Sequence, residues 1–218
     1  EMITTIMGDV NSIGKTYIHE HIALDLSSHK KDPDTNYNDV DEVILELKEI
    51  QKRGIDTIVE VTNRGMGRDV LTMAEVSKKT GLNIIASTGF YKEPFLPQHY
   101  FNFSDRELIK ILIKDIEKGI DGTNIRAHVL GEIGTSYNEI KNTEKRLFNI
   151  ISRVHLETGK PVFTHTTLGT MGLEQIEMLN NNGVNLEKVL IGHTDLNGDL
   201  DYHLRIVDKG CYLGFDNI

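Results

Sequence analysis

The sequence predicts an α/β protein with a parallel sheet, and three observations carry that expectation. Short runs rich in β-branched and other apolar residues alternate with longer stretches whose apolar residues recur at three-and-four spacing. The alternation is regular from end to end, as in chains of βα units. Gly54, Gly81, Gly119, Gly159, Gly183 and Gly210 each stand where a helix would stop. The spacing predicts strands at about residues 16–24, 56–62, 83–89, 127–134, 161–166, 189–195 and 211–216. Helices are expected near 40–53, 69–80, 104–118, 143–158, 172–182 and 199–209. Ser104 with Glu107, and Thr143 with Glu144, read as helix starts, because a short oxygen side chain satisfies free amides of the first turn.

Composition narrows the function. The 218 residues are 39% hydrophobic and 26% charged, with four Pro, 19 Gly and no Trp, and no linker separates a second domain. We therefore expect one domain over residues 1–218. Twenty-four Lys+Arg against 33 Asp+Glu give a formal charge of -9, which argues against a nucleic-acid or anionic-membrane surface and favours a small-molecule substrate. One cysteine, Cys211, excludes an internal disulfide. With no secretion signal and no long apolar run, the expected compartment is the cytoplasm.

Strict alternation suits either an open doubly wound sheet or a (β/α)₈ TIM barrel. Gly65-Met66-Gly67-Arg68 lacks the third glycine of a dinucleotide fingerprint, and the polar residues favour the barrel. His19 and His21 lie two apart in a strand run, so they share a face and can grip one ion; two packed or surface histidines are the alternative reading. His165 and His193 fall near the C-terminal ends of later strands, the face where barrel active sites assemble. Glu132 sits between Gly131 and Ile133 in another strand, where a carboxylate must be protonated, ion-paired or bound to a cation. Four imidazoles and a carboxylate make a site for two divalent transition ions, with Glu132 as the anionic bridge.

The strings 17–21 (Tyr-Ile-His-Glu-His), 129–136 (Val-Leu-Gly-Glu-Ile-Gly-Thr-Ser), 158–166 (Thr-Gly-Lys-Pro-Val-Phe-Thr-His-Thr), 171–175 (Met-Gly-Leu-Glu-Gln) and 191–196 (Ile-Gly-His-Thr-Asp-Leu) resemble the phosphotriesterase family of the amidohydrolase superfamily, nearest its phosphotriesterase homology protein branch. The resemblance implies a (β/α)₈ barrel with a binuclear centre, usually zinc. His19 and His21 would hold the more buried ion, His165 and His193 the more exposed one, and Glu132 would bridge. Two departures bear on activity. Phosphotriesterases proper and the related lactonases have a carbamylated lysine where Glu132 stands. Asn217 follows Asp216 where phosphotriesterases carry His and many lactonases Arg, which points away from paraoxon-like and quorum-lactone activity. The seven strands imply a barrel truncated after its seventh strand. In the family the eighth carries an Asp that binds the buried ion and takes a proton, so the natural polypeptide is expected to continue past Ile218.

Loops after the second and third strands should line the barrel mouth. Asn63, Arg64, Arg68 and Tyr91 are the candidate substrate-binding residues, the arginines by clasping a carboxylate or phosphate, with a helix-side salt bridge as the alternative. Asp195 and Glu132 are the candidate catalytic carboxylates, Asp195 by orienting a ligand or relaying a proton. His128 reads as structural, and His29, His99, His155 and His203 as loop or helix-surface residues. The resulting expectation is a metal-dependent hydrolase of a carboxylic ester or lactone, plain or phosphorylated, or of a phosphate ester, with a homodimer as one assembly open to it. A barrel that binds metal or ligand without turnover is the alternative.

Overall fold

A computed structural model describes residues 2–217. Its strands, in chain order, are β1 (Ile3–Thr5), β2 (Gly8–Val10), β3 (Thr16–Glu20), β4 (Leu24–Asp25), β5 (Asn36–Tyr37), β6 (Thr57–Glu60), β7 (Asn83–Thr88), β8 (Val129–Thr135), β9 (Val162–Thr166), β10 (Val189–Gly192) and β11 (Tyr212–Leu213). The helices are α1 (Ser27–Lys30), α2 (Val40–Lys52), α3 (Val70–Thr80), α4 (Gln98–Asn102), α5 (Asp105–Glu117), α6 (Asn142–Thr158), α7 (Gly172–Asn181) and α8 (Leu200–Asp208). Seven strands form one parallel sheet in the order β11-β10-β9-β8-β7-β6-β3. This is the curled sheet of a (β/α)₈-type barrel, with helices packed on its outer face.

Burial explains the pattern. Every residue of β6 and of β8 is buried, as expected for strands covered on both sides. Outward-facing Ile84, Leu130, Val162, Val189 and Ile191 pack with Leu112, Phe148, Ile151 and Leu179 of the helices. A smaller inner cluster joins Val59, Val61, Ile85 and Val129 to Ile3 and Phe163. Ile3 arrives on the β1–β2 hairpin, which closes the N-terminal end of the sheet. The Ile6 amide donates to the Ile84 carbonyl at 2.8 Å, and Arg126 pairs with Asp9 at 2.9 Å. A cavity of about 470 Å³, lined in part by Ile18, Phe163, Leu190 and Leu213, lies toward that same end, where Lys160 and Lys188 precede their strands.

All six helix-stopping glycines have positive φ. Ser104 caps α5, with its amide donating to Glu107 at 2.8 Å. Four expectations need correction. Thr143 is inside the first turn of α6, not its cap; Glu144 accepts from the Lys141 amide at 2.9 Å and takes that duty. The expected strand 16–24 stops at Glu20, because the Ile22 amide turns to the Glu60 carboxylate and β4 pairs instead with β5. The expected strand 189–195 ends at Gly192, since His193 has φ 59 and opens a 3-10 turn. The last strand shrinks to two residues, its ladder continuing irregularly through the Gly214 amide to the Ile191 carbonyl at 2.7 Å. Among the described residues no helix is long and apolar enough to cross a membrane.

Candidate metal centre

The ends of β3, β8, β9 and β10 bring His19, His21, Glu132, His165 and His193 together. One Glu132 oxygen is 3.1 Å from His19 Nε2, 3.1 Å from His165 Nδ1 and 3.5 Å from His193 Nε2, and the other is 3.3 Å from His21 Nε2. Two donors each about 2.1 Å from one tetrahedral ion would stand roughly 3.4 Å apart, so these spacings are those of ligands sharing a cation. The ligand atoms of His19, His21 and Glu132 lie within 4.8 Å of one another, as do those of Glu132, His165 and His193. Both His19 ring nitrogens are buried and find no aligned hydrogen bond. An imidazole buried without a partner is costly, and a cation removes that cost. The donor set fits divalent transition ions.

Glycine makes the crowding possible. In register, His165 stands between Gly134 on β8 and Gly192 on β10. A Cβ on Gly192 would lie 3.3 Å from the His19 ring, and one on Gly134 would lie 3.2 Å from His165. Side chains at either position would push the imidazoles apart.

The outer hydrogen bonds set the ring tautomers. Thr62 Oγ1 donates to Glu60 at 2.5 Å, so its oxygen is left to accept from His21 Nδ1–H at 2.8 Å, and His21 Nε2 is turned toward Glu132. Glu60 also accepts from the Ile22 amide at 3.2 Å and the Thr62 amide at 3.1 Å. Asp216 accepts from His193 Nδ1 at 2.7 Å, turning His193 Nε2 inward. A third close group joins His19, His193 and Asp216.

Burial and neighbouring charge pull the acidities of the cluster apart. Burial lifts the Glu60 carboxyl to about 7, despite the nearby His21 and the Thr62 hydrogen bond. Burial also tends to raise Glu132, but the surrounding His19 and His165 charges outweigh it and hold it well below the usual range. Burial drives His165 down to about 4 against the pull of Glu132. The same effect on His193 is overcome by its hydrogen bonds to Asp216 and Glu132, which lift it to about 9.

The expected substrate residues are placed differently. Asn63 is fully buried and donates to the Glu132 carbonyl at 2.6 Å, so it fixes the backbone of the central carboxylate and does not line the mouth. Arg64 donates to both Asp115 oxygens at 2.8 and 3.0 Å. Arg68 meets Asp115 at 3.2 Å and Asp121 at 3.0 Å, with its side chain only 2% exposed. A buried guanidinium has to be paired, so the helix-side salt bridge holds and the arginines do not reach the mouth. Tyr91 does reach the cluster, its hydroxyl 3.2 Å from each His165 nitrogen; burial and the Glu132 charge keep it protonated. Asp195 accepts from the Asp216 amide at 3.2 Å and the Asn217 side-chain amide at 3.4 Å, and among the described residues it is hydrogen-bonded to no imidazole. His155 is buried, not on the surface, donating to the Lys160 carbonyl at 2.8 Å and accepting from the Asn185 amide at 3.2 Å.

Sequence reasoning missed Asp216, Glu60 and Thr62. Asp216 closes an apolar run as His193 does, and Glu60 lies between Val59 and Val61 as Glu132 lies between its neighbours, so the same positional signal was present.

Comparison with known proteins places the chain in a family. The model of the phosphotriesterase family matches residues 1–218. The phosphotriesterase homology protein of Escherichia coli is 40% identical over 94% of this chain and 70% of its own length. The aryldialkylphosphatase of Saccharolobus solfataricus is 35% identical, over 94% of this chain and 66% of its own length. The crystal structure of a lactonase from Listeria monocytogenes superposes with a TM-score of 0.93 at 31% identity, covering all of this chain and 73% of that one. The chain thus spans about two thirds to three quarters of each, and with a family match along its whole length it belongs to the phosphotriesterase family.

Proposed function

We propose that the protein is a metal-dependent hydrolase of a carboxylic ester or lactone, with a phosphate ester as the second substrate class, and that its centre holds two divalent ions, zinc by the donor set. The observation that carries this reading is the pair of ligand groups that share Glu132. Relatives named as a lactonase and an aryldialkylphosphatase support the ester chemistry. His19 and His21 would hold one ion, His165 and His193 the other, and Glu132 both. When bound, such ions supply Lewis acidity to an acyl or phosphoryl oxygen and lower the pKa of water. The chain's own residues do the rest. Thr62 and Glu60 keep the His21 proton on Nδ1, and Asp216 does the same for His193. Asn63 anchors the Glu132 backbone, and Asp195 acts as a positioning residue through the Asp216 amide. The protonated Tyr91 hydroxyl beside His165 is a hydrogen-bond donor for a substrate oxygen.

Elemental analysis of protein prepared without chelator should find two transition ions per chain, and a panel of esters, lactones and phosphate esters should be turned over only by the loaded form. His19→Ala and His165→Ala should each lose most of one ion. Because Glu132 is an encoded carboxylate, reconstitution should be indifferent to bicarbonate. Unchanged metal content in both variants would overturn the assignment.

A further inference from the structure

A cavity of about 310 Å³ opens on the outer side of the sheet, between α4, α5 and the segment after β6. Arg64, His99, Phe103, Ile111, Lys114 and Asp115 are among its walls, and it shares no lining residue with the candidate metal centre. Two of those residues hold a buried nitrogen without a hydrogen-bond partner, Arg64 Nε and His99 Nε2. Buried polar atoms are nearly always satisfied, so two unpartnered ones in the walls of one cavity call for something to fill it.

The chemistry of the walls selects that occupant. Arg64 Nε can only donate, and the neighbouring Nη2 is spent on Asp115 at 2.8 and 3.0 Å. Burial and the charge of Arg64 hold the His99 imidazole below its ordinary value, so at neutral pH the ring is uncharged and can place its one proton on Nε2. The carboxylates nearby are taken: Asp115 also accepts from Thr88 at 2.6 Å and Arg68 at 3.2 Å, and Asp121 accepts two bonds from Arg68 Nη2 at 3.0 Å. The missing partner is therefore an acceptor. Lys114 adds an ammonium that makes no ion pair among the described residues. Arg64, Arg68 and Lys114 against Asp115 and Asp121 leave one unit of positive charge, which matches a monoanion and disfavours a dianion. The rest of the wall is apolar, with the His99 ring centre 5.7 Å from that of Phe90 and 5.9 Å from that of Phe103.

We propose that this cavity is a second ligand site, separate from the metal centre, that takes a small monocarboxylate with an apolar tail: the carboxylate accepts from Arg64 Nε and His99 Nε2, and the tail lies against Phe103 and Ile111.

Calorimetry with benzoate as the probe and benzamide as its uncharged counterpart tests this on the protein as purified. Benzoate should bind at least about 10-fold more tightly than benzamide, the difference between a charged and a neutral acceptor. His99→Phe keeps the ring contacts and removes the nitrogen, and should weaken benzoate about 3- to 10-fold, as loss of one hydrogen bond would. Arg64→Lys leaves a cation for Asp115 but no Nε donor, and should weaken it about 10- to 100-fold. Ile111→Trp fills the cavity from a partly exposed helix position and should abolish binding, which keeps the test independent of the Asp115 ion pairs. Glu132→Gln alters the metal centre alone and should leave the benzoate Kd unchanged. Absence of benzoate binding, the result if ordered water alone fills the cavity, overturns the proposal. So does equal affinity for benzamide, or binding that is lost in Glu132→Gln and kept in His99→Phe and Ile111→Trp.

Discussion

Arg64, Arg68, Asp115 and Asp121 form one knot of charge in this barrel, and the four histidines with Glu132 and Asp216 form another. In the first, two guanidinium groups meet two carboxylates, and Thr88 donates its hydroxyl to Asp115 at 2.6 Å. Both carboxylates are fully engaged, and the one group left without a partner, Arg64 Nε, is a donor, so the knot offers nothing to a cation. In the second, several ring nitrogens crowd a single carboxylate, and both nitrogens of His19 go without an aligned bond. The excess is in lone pairs, and only a cation can use them. What separates a structural cluster from a candidate functional one here is therefore the hydrogen-bond inventory and not burial or residue type.

The sharpest way to break the comparison is to remove the central charge. Glu132→Gln keeps the size but not the bridge, and metal retention should fall by more than about 100-fold, beyond the range seen for outer hydrogen-bond partners; elemental analysis after gel filtration reads this directly. The matching change in the paired knot is Asp115→Asn. It leaves both arginines to the half-exposed Asp121 alone and should cost about 3 kcal/mol of folding stability by denaturant titration while metal content stays at the wild-type value. A smaller effect is expected from Thr62→Val, which removes the acceptor for His21 Nδ1–H. Affinity at the His19 and His21 site should drop about 10-fold, with the other site spared, as two-step zinc titration would show.

The mildest test is pH. A cation must displace the His193 proton, whose pKa is about 9, so apparent affinity should climb from about pH 6.5 to 9, by at most about tenfold per unit for that proton, and then level off. His165, at about 4, is already proton-free across that window. The metal-free protein should show the opposite trend. A raised histidine pKa adds stability that is fully present below about 6.5 and lost as pH rises through about 9.

The five ligand candidates were legible because each signal is local: a period-two pair in β3, or one polar residue ending an apolar run. The fate of Arg64 and Arg68 was not, because Asp115 and Asp121 lie 47 to 53 residues away and nothing near the arginines announces them. In sequence Asp216 is only the end of a strand run, although its carboxylate meets the His193 ring across the sheet edge. The six long helices were legible to within one residue at both ends, and the short α1 and α4 were not. The strand ends beside the site were less so, because there the backbone leaves the ladder to serve side chains, as the Ile22 amide does for Glu60.

β3 and β11 stand at opposite edges of the seven-stranded sheet, with a cleft of about 330 Å³ lined by His19, Glu20, Phe215 and Asp216. Across that seam the His19 and His193 rings lie only 4.5 Å apart, and His19 Nδ1 is 3.2 Å from Asp216. Whatever draws those side chains together acts as a clasp on a loop of more than 170 residues, the length of closure for which a cross-link restricts the unfolded chain most. Loading the centre should therefore slow amide exchange along both rims of the seam, so that a chelator works on this protein as a mechanical release as much as an inhibitor.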